Sequence, residues 1–284
     1  MKKIFLMILG INQLIYASQS ESMIDSANAS MPLVKRTSNG DMAKELANPV
    51  SPLISLPFQF NYENDFKGIS GNESNKWTLN IQPVIPFELN DEWNLISRTI
   101  MPVIRTDNLP VGSGITGGLG DIVQSLFLSP KAVTENGWVW GAGAVMLIPT
   151  NSDVSAKKWG LGPTAVALKQ NNGWTYGALF NHIWSFGGSN AVVDKISTTQ
   201  FQPFLTYTTS EGTSYNVWSE SLYNWEASTD DKWTVPLFAG ISQVSKIGSQ
   251  RISYGVSLKY NAKTPIGGAD GLGLRFVLTF VFPK

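Results

Sequence analysis

Large apolar residues alternate with small, polar or charged residues along the last strand-like segment of the chain, residues 273–282. Every even position from Leu274 to Phe282 is large and apolar, whereas the odd positions are Gly273, Arg275, Val277, Thr279 and Val281. Because successive side chains of a strand point to opposite faces, this pattern predicts one apolar face and one mixed face. A strand of this length with aromatic residues on its apolar face is typical of a membrane β-barrel.

Eleven further segments upstream show related alternation, and each is near the roughly 9–11 residues that a tilted membrane strand requires. The complete set predicts an all-β fold, a transmembrane antiparallel β-barrel of about 12 strands. The predicted strands cover residues 53–62, 77–87, 93–104, 119–129, 138–149, 159–169, 174–186, 199–208, 213–225, 233–244, 251–260 and 272–282.

Short and mostly longer spacers alternate between these segments. The short ones include residues 170–173 and 209–212, which contain the turn dipeptides Asn172-Gly173 and Glu211-Gly212. The longer ones are rich in Gly, Asp, Asn and Ser, as in residues 105–118 and 187–198. Short turns at one end and long loops at the other are typical of outer-membrane barrels, in which an even strand number returns both termini to the short-turn end.

Tryptophans concentrate near the ends of the predicted strands, where membrane barrels carry their aromatic bands. They lie near the start of a segment at Trp77, Trp93, Trp138, Trp159, Trp174 and Trp233, and near the far end at Trp184 and Trp225.

Prolines inside the predicted strands oppose this pattern, because each removes a hydrogen-bond donor from the ladder. We expect these prolines at bulges or at staggered strand ends, and they leave the strand number open by about two. They are Pro83, Pro86, Pro102, Pro163, Pro203 and Pro236.

Composition narrows the possible functions. Charged residues make up 15% of the chain, against about 25% in typical soluble proteins. The chain has no Cys, which excludes disulfides, thiolate metal sites and cysteine catalysis. Its net charge of +0 gives no electrostatic reason to expect nucleic acid as a partner. We predict no cofactor and no bound metal.

The N-terminal residues have the form of an export signal, with Lys2 and Lys3 before a short apolar run over residues 4–11. We predict a signal peptide over residues 1–20, a flexible periplasmic leader over 21–50 and a barrel over 51–284. A short helix over residues 41–46 is expected within the leader, with Asp41 as a possible cap and Asn48-Pro49 after its end.

Several runs resemble a group of uncharacterised bacterial outer-membrane proteins that are described only as transporters, and sometimes labelled neuromedin U. The runs are LANPV (46–50), LISLPFQ (53–59), LNIQPVIP (79–86), WNLISRT (93–99), GLGDI (118–122), WGLGPT (159–164) and WTYGAL (174–179). The resemblance extends from about residue 46 to the C-terminus. The chain also resembles, more loosely, the barrels linked to meta-cleavage degradation of phenols.

This resemblance implies a barrel in the outer membrane of a Gram-negative bacterium, with transport of a small molecule. The inward-facing cations favour a polar or anionic solute, and the looser likeness to the phenol-pathway barrels allows an aromatic one. The resemblance carries over no catalytic residue, and we expect no enzyme. The implied partners are outer-membrane lipid, the barrel-assembly machinery and the solute.

Two motifs with possible chemistry have simpler explanations. The single histidine, His182, shares its strand face with Phe180 and Trp184 and is expected in the interfacial aromatic band, whereas Ser185 lies on the opposite face. The glycines Gly112, Gly114 and Gly117 match a dinucleotide-binding fingerprint, but a predicted strand follows them instead of the required helix.

The charged and amide residues on the inward faces are the candidate functional residues, because a charge facing lipid costs a few kcal/mol. They could line a pore, or they could form a satisfied interior network that conducts nothing. A barrel plugged by the leader helix, an outer-membrane hydrolase and a soluble β-sandwich remain alternatives. The candidates are Gln59, Asn80, Gln82, Arg98, Glu220, Arg251, Lys259 and Arg275.

Overall fold

The computed structural model describes residues 38–68, 74–109, 112–188 and 195–282. The predicted signal peptide and the predicted leader up to residue 37 lie outside the described residues. The helices are α1 Asn39–Leu46 and a 3₁₀ turn at Thr229–Asp231. The strands are β1 Ile54–Glu63, β2 Asn75–Ile81, β3 Val84–Glu88, β4 Trp93–Asp107, β5 Ile115–Leu119, β6 Ile122–Pro130, β7 Trp138–Ile148, β8 Trp159–Asn171, β9 Trp174–Gly187, β10 Ser197–Thr208, β11 Thr213–Ser219, β12 Ser221–Asn224, β13 Trp233–Ile247, β14 Gln250–Lys263 and β15 Gly271–Phe282.

The strands form one closed antiparallel sheet, because the first strand pairs with the last. Partners run from Ile54 with Phe282 to Glu63 with Gly273. Three barrel strands are interrupted by one or two residues and are therefore made of two pieces: β2 with β3, β5 with β6, and β11 with β12. Over the described residues the barrel thus has 12 strands, which confirms the predicted fold class.

All twelve predicted segments overlap barrel strands, and the main difference lies at their ends. The ladder continues past the predicted end of β4 to Asp107, of β13 to Ile247 and of β14 to Lys263. These extensions are polar or mixed, so apolar alternation ends there while backbone pairing continues. Alternation marks the part of a strand with an apolar outer face, whereas hydrogen bonding sets its full length.

The strand prolines lie at breaks in the ladder, as expected. Pro83 separates β2 from β3, and Pro203 lies opposite the interruption between β11 and β12 at Glu220. Pro163 falls where β8 and β9 lose their pairing, and Pro236 lies at a register shift between β13 and β14. Pro102 faces the break between β5 and β6. Pro86 of β3 lies past the last residue of β3 that pairs with β1, which is Val84. Each missing donor therefore costs little hydrogen bonding.

Aromatic residues form two bands on the outer surface. Trp93, Trp138, Trp140 and Trp174 lie at the short-turn end, whereas Trp77, Trp159, Trp184, Trp225 and Trp233 lie toward the long-loop end. Most of these indoles are at least one third exposed, as befits an outward-facing position. Trp218 differs, because it lies inside the barrel, stacked on Phe238 with ring centroids 4.7 Å apart.

The segment before the first strand folds into the short-turn end of the barrel. Helix α1 buries Met42 and Ala43 against Val244 and Val281 of the inner wall. Val50 packs instead in a cluster with Ile96 of β4 and Phe127 of β6, on another part of the wall. Residues 38–53 therefore cross the lumen from one wall to the other, and we call them the plug.

The helix cap differs from the prediction. Ser38 is the N-cap residue, and its side chain accepts a hydrogen bond from the Asp41 backbone N–H at 3.0 Å. Asp41 is the third helical residue and completes a capping box. The prediction of Asp41 as the cap was therefore wrong, because the helix begins two residues earlier than the propensity pattern indicated.

Gly162 provides a test of the close approach between β8 and β9. A Cβ atom added there would lie 1.7 Å from the His182 carbonyl oxygen. We expect Gly162→Ala to destabilise the barrel by about 1–3 kcal/mol, since the backbone must move to admit the methyl group. Urea unfolding of refolded protein in lipid vesicles measures this change. Gly187→Ala is the control, because nothing lies within 4 Å of its added Cβ; equal stability losses would contradict the close approach.

Candidate functional site

A cavity of about 380 Å³ lies inside the barrel, between the plug and the barrel wall. Its lining combines the plug with inward-facing residues of most barrel strands. The inward set follows from strand alternation: Gln59 of β1 pairs with Asn80 of β2, and Val84 of β3 pairs with Arg98 of β4. All four side chains therefore project into the lumen. This cavity is the candidate functional site.

Arg275 and Glu220 form the most connected polar group in the cavity wall. The Arg275 guanidinium binds both Glu220 oxygens, with Nη1 to Oε1 at 2.5 Å and Nη2 to Oε2 at 2.9 Å. Its Nε donates to Asn61 Oδ1 at 2.6 Å, and its Cζ lies 4.3 Å from the Phe238 ring centroid. Arg275 is only 5% exposed. Three of its five N–H donors are used and its charge is paired with Glu220, so it supports the wall more than it offers a free charge to a solute.

A second ion pair joins the same wall. Lys259 Nζ donates to Glu63 Oε1, and its ammonium lies 5.9 Å from the Phe238 ring centroid. Trp218 Nε1 donates to Glu220 Oε1 at 3.1 Å. The two cations and two carboxylates thus surround a stacked aromatic pair and compensate one another.

Arg98 belongs to an amide-rich part of the wall, near enough to Glu220 for an electrostatic interaction but without a direct ion pair to it. Its Nη2 donates a long hydrogen bond of 3.4 Å to Gln82 Oε1. Gln82 in turn donates through Nε2 to Gln59 Oε1 at 2.8 Å. Asn80 lines the same cavity. Three of the predicted candidates thus form one chain of side chains that ends in a guanidinium.

Arg251 serves the plug. Its Nη1 donates to Asn39 Oδ1 of α1 at 2.7 Å, while Gln170 of β8 donates to the Lys44 carbonyl at 2.8 Å. The structure places all eight sequence-derived candidates on the inner side of the barrel, but in three groups: Arg275, Glu220 and Lys259; Arg98, Gln82, Gln59 and Asn80; and Arg251 with the plug. Whether they line a conducting pore stays a prediction.

Several cavity residues were missed from the sequence. Trp218 shares parity with Glu220, which is a signal that could have placed it inside. The apolar residue Leu179 gave no such signal, because its strand has apolar residues on both faces. The structure shows Leu179 in a cluster with Val50 of the plug, Ile96 and Phe127.

His182 belongs to the outward-facing side of β9, as its strand face indicated, but it is only 8% exposed because neighbouring side chains cover it. Its ring lies against that of Trp184 with centroids 4.0 Å apart and the ring planes tilted by 47°, and its Nδ1 lies 2.7 Å from Thr199 Oγ1. Ser197 Oγ lies 3.4 Å from Nε2, whereas Ser185 accepts a hydrogen bond from the Ile196 backbone N–H. The serine nearest the histidine is therefore on the neighbouring strand, where the sequence pattern gave no reason to look.

The remaining sequence motifs have plain structural roles. The glycine-rich run continues into strand β5 without the helix that a dinucleotide fingerprint requires. Within the described ranges, no cluster of three or more His, Cys, Asp or Glu side chains could hold a metal ion. Of the helices in the described part of the chain, none is long and apolar enough to cross a membrane.

Comparison with known proteins shows which solved structures have a similar fold. No family model and no curated protein sequence matches the chain, so the neuromedin U label has no support there. A crystal structure of an outer membrane channel from Pseudomonas putida F1 is similar, with a TM-score of 0.63 and 14% identity over 81% of this chain and 94% of that chain.

Two weaker likenesses are also to outer-membrane barrels. The NanC porin has a TM-score of 0.49 and 9% identity over 81% of this chain and 100% of its own. Outer membrane phospholipase A from Escherichia coli has a TM-score of 0.44 and 10% identity over 81% of this chain and 92% of its own. At such identities the likeness shows the fold alone. The architecture is that of an outer-membrane β-barrel of 12 strands.

The ion pair between Arg275 and Glu220 yields a stability prediction. Glu220→Ala leaves the buried guanidinium without its carboxylate, and we expect a loss of about 3 kcal/mol in urea unfolding. In the Arg275→Met background the same substitution should cost less, because no guanidinium is left unpaired. The control is Glu88→Ala, at an exposed pair with Lys131, which should cost less than about 1 kcal/mol. Equal costs for the two glutamates would contradict a structural role for the pair.

Proposed function

We propose that this protein is a channel in the bacterial outer membrane that passes a small polar or anionic solute. The observation that carries the proposal is the cavity of about 380 Å³, lined by charged and amide side chains, inside a closed barrel. The two outer aromatic bands support a membrane location, since indoles favour the interface between lipid and water. The similar barrel from Pseudomonas putida F1 is described as an outer membrane channel, which supports the same role.

The proposed mechanism is passive. A solute enters from the long-loop end and reaches the cavity, where Arg98 and the amides of Gln59 and Gln82 replace part of its hydration shell. The plug covers the short-turn end, so passage to the periplasm requires residues 38–53 to shift. Binding in such a pore must be weak enough for release as well as favourable enough for uptake.

Single-channel conductance in a planar bilayer tests this proposal. We expect little or no current from the full chain and a larger, steady current from a version that lacks residues 18–49, because the second removes helix α1 from the lumen. A version that lacks only residues 18–37 is the matched control and should conduct like the full chain, since it keeps the helix and its cap.

Each outcome separates the channel from its rival, a structural or surface-binding barrel with a plugged lumen. Current from the helix-less version would establish a path through the barrel. Silence from all three versions, with folding shown by heat-modifiable gel migration, would refute the channel and favour the structural barrel. Equal current from all three would show that the plug does not limit conduction.

The contact between His182 and Ser197 defines a second rival, an outer-membrane ester hydrolase. We expect no hydrolysis of phospholipid esters by the refolded protein, because Nδ1 faces a hydroxyl instead of a carboxylate or amide that would orient the ring. His182→Ala should leave conductance unchanged. Ester turnover that vanishes in both His182→Ala and Ser197→Ala, and persists in Ser185→Ala, would establish the hydrolase instead.

A further inference from the structure

We propose that the lumen cavity is a binding site for small carboxylates that carry an apolar body, with Arg98 as the anchor of the carboxylate. The inference names the solute class of the proposed channel and rests on that function only for the biological role of binding. The site itself is defined by the residues that line the cavity.

Arg98 has unused hydrogen-bonding capacity. A guanidinium carries five N–H donors in a planar fork that matches a carboxylate. The only hydrogen bond of this side chain within the described residues is the long one to Gln82. No carboxylate of those residues lies within 4.0 Å of it. Among the cavity-lining cations, Arg98 is thus the one that an incoming anion can bind without breaking an ion pair.

The other charges of the barrel wall near the cavity are held in ion pairs, although Glu220 also acts electrostatically on Arg98. Both oxygens of Glu220 are held by Arg275, and Lys259 is paired with Glu63. The remaining carboxylate of the lining is Glu45 on the plug, which accepts a hydrogen bond from Ser51. The negative charge of Glu45 therefore repels an anion in the cavity. Glu45 lies on the plug and not on the barrel wall.

Amide groups supply further donors. Gln202 and Asn80 line the cavity and make no side-chain hydrogen bond with another described residue. Gln200 accepts a bond from Asn181 through Oε1, which leaves its own amide N–H groups available. The cavity therefore contains neutral hydrogen-bond donors in addition to the guanidinium.

An apolar surface lies next to these polar groups. Val84 is the cross-strand partner of Arg98, and Ile100 follows it on the same inward face. Leu179 and Phe204 line the cavity from β9 and β10. A purely hydrophilic anion would leave this surface wet, whereas an alkyl or aryl group would cover it. The cavity volume is within the range of about 300–1,000 Å³ that small-molecule sites occupy.

Isothermal titration of the full chain in lipid nanodiscs tests the proposal with hexanoate, acetate and hexan-1-ol as probes. Empty nanodiscs provide the blank for partitioning into lipid. We expect hexanoate to bind more tightly than either other probe, because acetate lacks the apolar body and hexan-1-ol lacks the charge. Each methylene between acetate and hexanoate should strengthen binding about two- to fourfold.

Substitutions identify the anchor. Arg98→Gln should weaken hexanoate binding roughly 10- to 100-fold and leave hexan-1-ol unaffected, since it removes a charge-assisted contact. Arg105→Gln is the matched control: Arg105 belongs to the same strand, on the opposite and exposed face.

Glu45→Gln should tighten hexanoate binding, because it removes the opposing charge. Arg98→Lys, which keeps the charge but loses the fork, should give an intermediate affinity and serves if Arg98→Gln does not fold.

The results separate this inference from the channel proposal. Equal binding of hexanoate and hexan-1-ol, or equal loss in the Arg98 and Arg105 variants, would overturn the carboxylate site even if the truncated protein conducts. Conversely, Arg98-dependent hexanoate binding in a protein whose truncated version is silent would support the site and refute the channel.

Discussion

The fold depends on the pairing of β1 with β15, which closes the sheet. In a bilayer, every backbone N–H and C=O must find a partner within the protein, and a closed barrel is the only sheet that achieves this. Closure also explains the positions of the prolines. Each lies where the ladder is already broken or staggered, as Pro83 does between β2 and β3 and Pro236 at a register shift.

Closure creates an interior that must then be filled or solvated. A barrel of 12 strands is wider than the eight-stranded barrels whose interiors side chains fill, but narrower than an open porin. This chain fills part of the space with the plug and part with the ion pairs of Arg275 and Lys259. What remains is a cavity with a polar side and an apolar side.

The two groups of interior charges have different consequences for function. Arg275 is buried, and its donors go to Glu220 and Asn61, so it rigidifies the wall. Arg98 forms no ion pair within the described residues, although Glu220 acts on it electrostatically, and it adjoins the apolar surface, so it is the residue of the proposed site that can still take up a carboxylate. For the proposed anion site, the number of inward cations therefore matters less than which of them is left without a direct ion pair.

The sequence by itself determined the all-β class, the twelve segments and the side of the wall on which each candidate residue lies, because strand alternation is a local property with a period of two. It also indicated that the prolines mark interruptions. The tertiary structure alone decided that Arg275 forms a direct ion pair with Glu220 while Arg98 does not, since Glu220 lies 55 residues from Arg275 along the chain. It likewise decided that residues 38–53 occupy the lumen and that Ser197 lies beside His182. These contacts depend on strand register and barrel closure, which bring together residues that no local pattern relates.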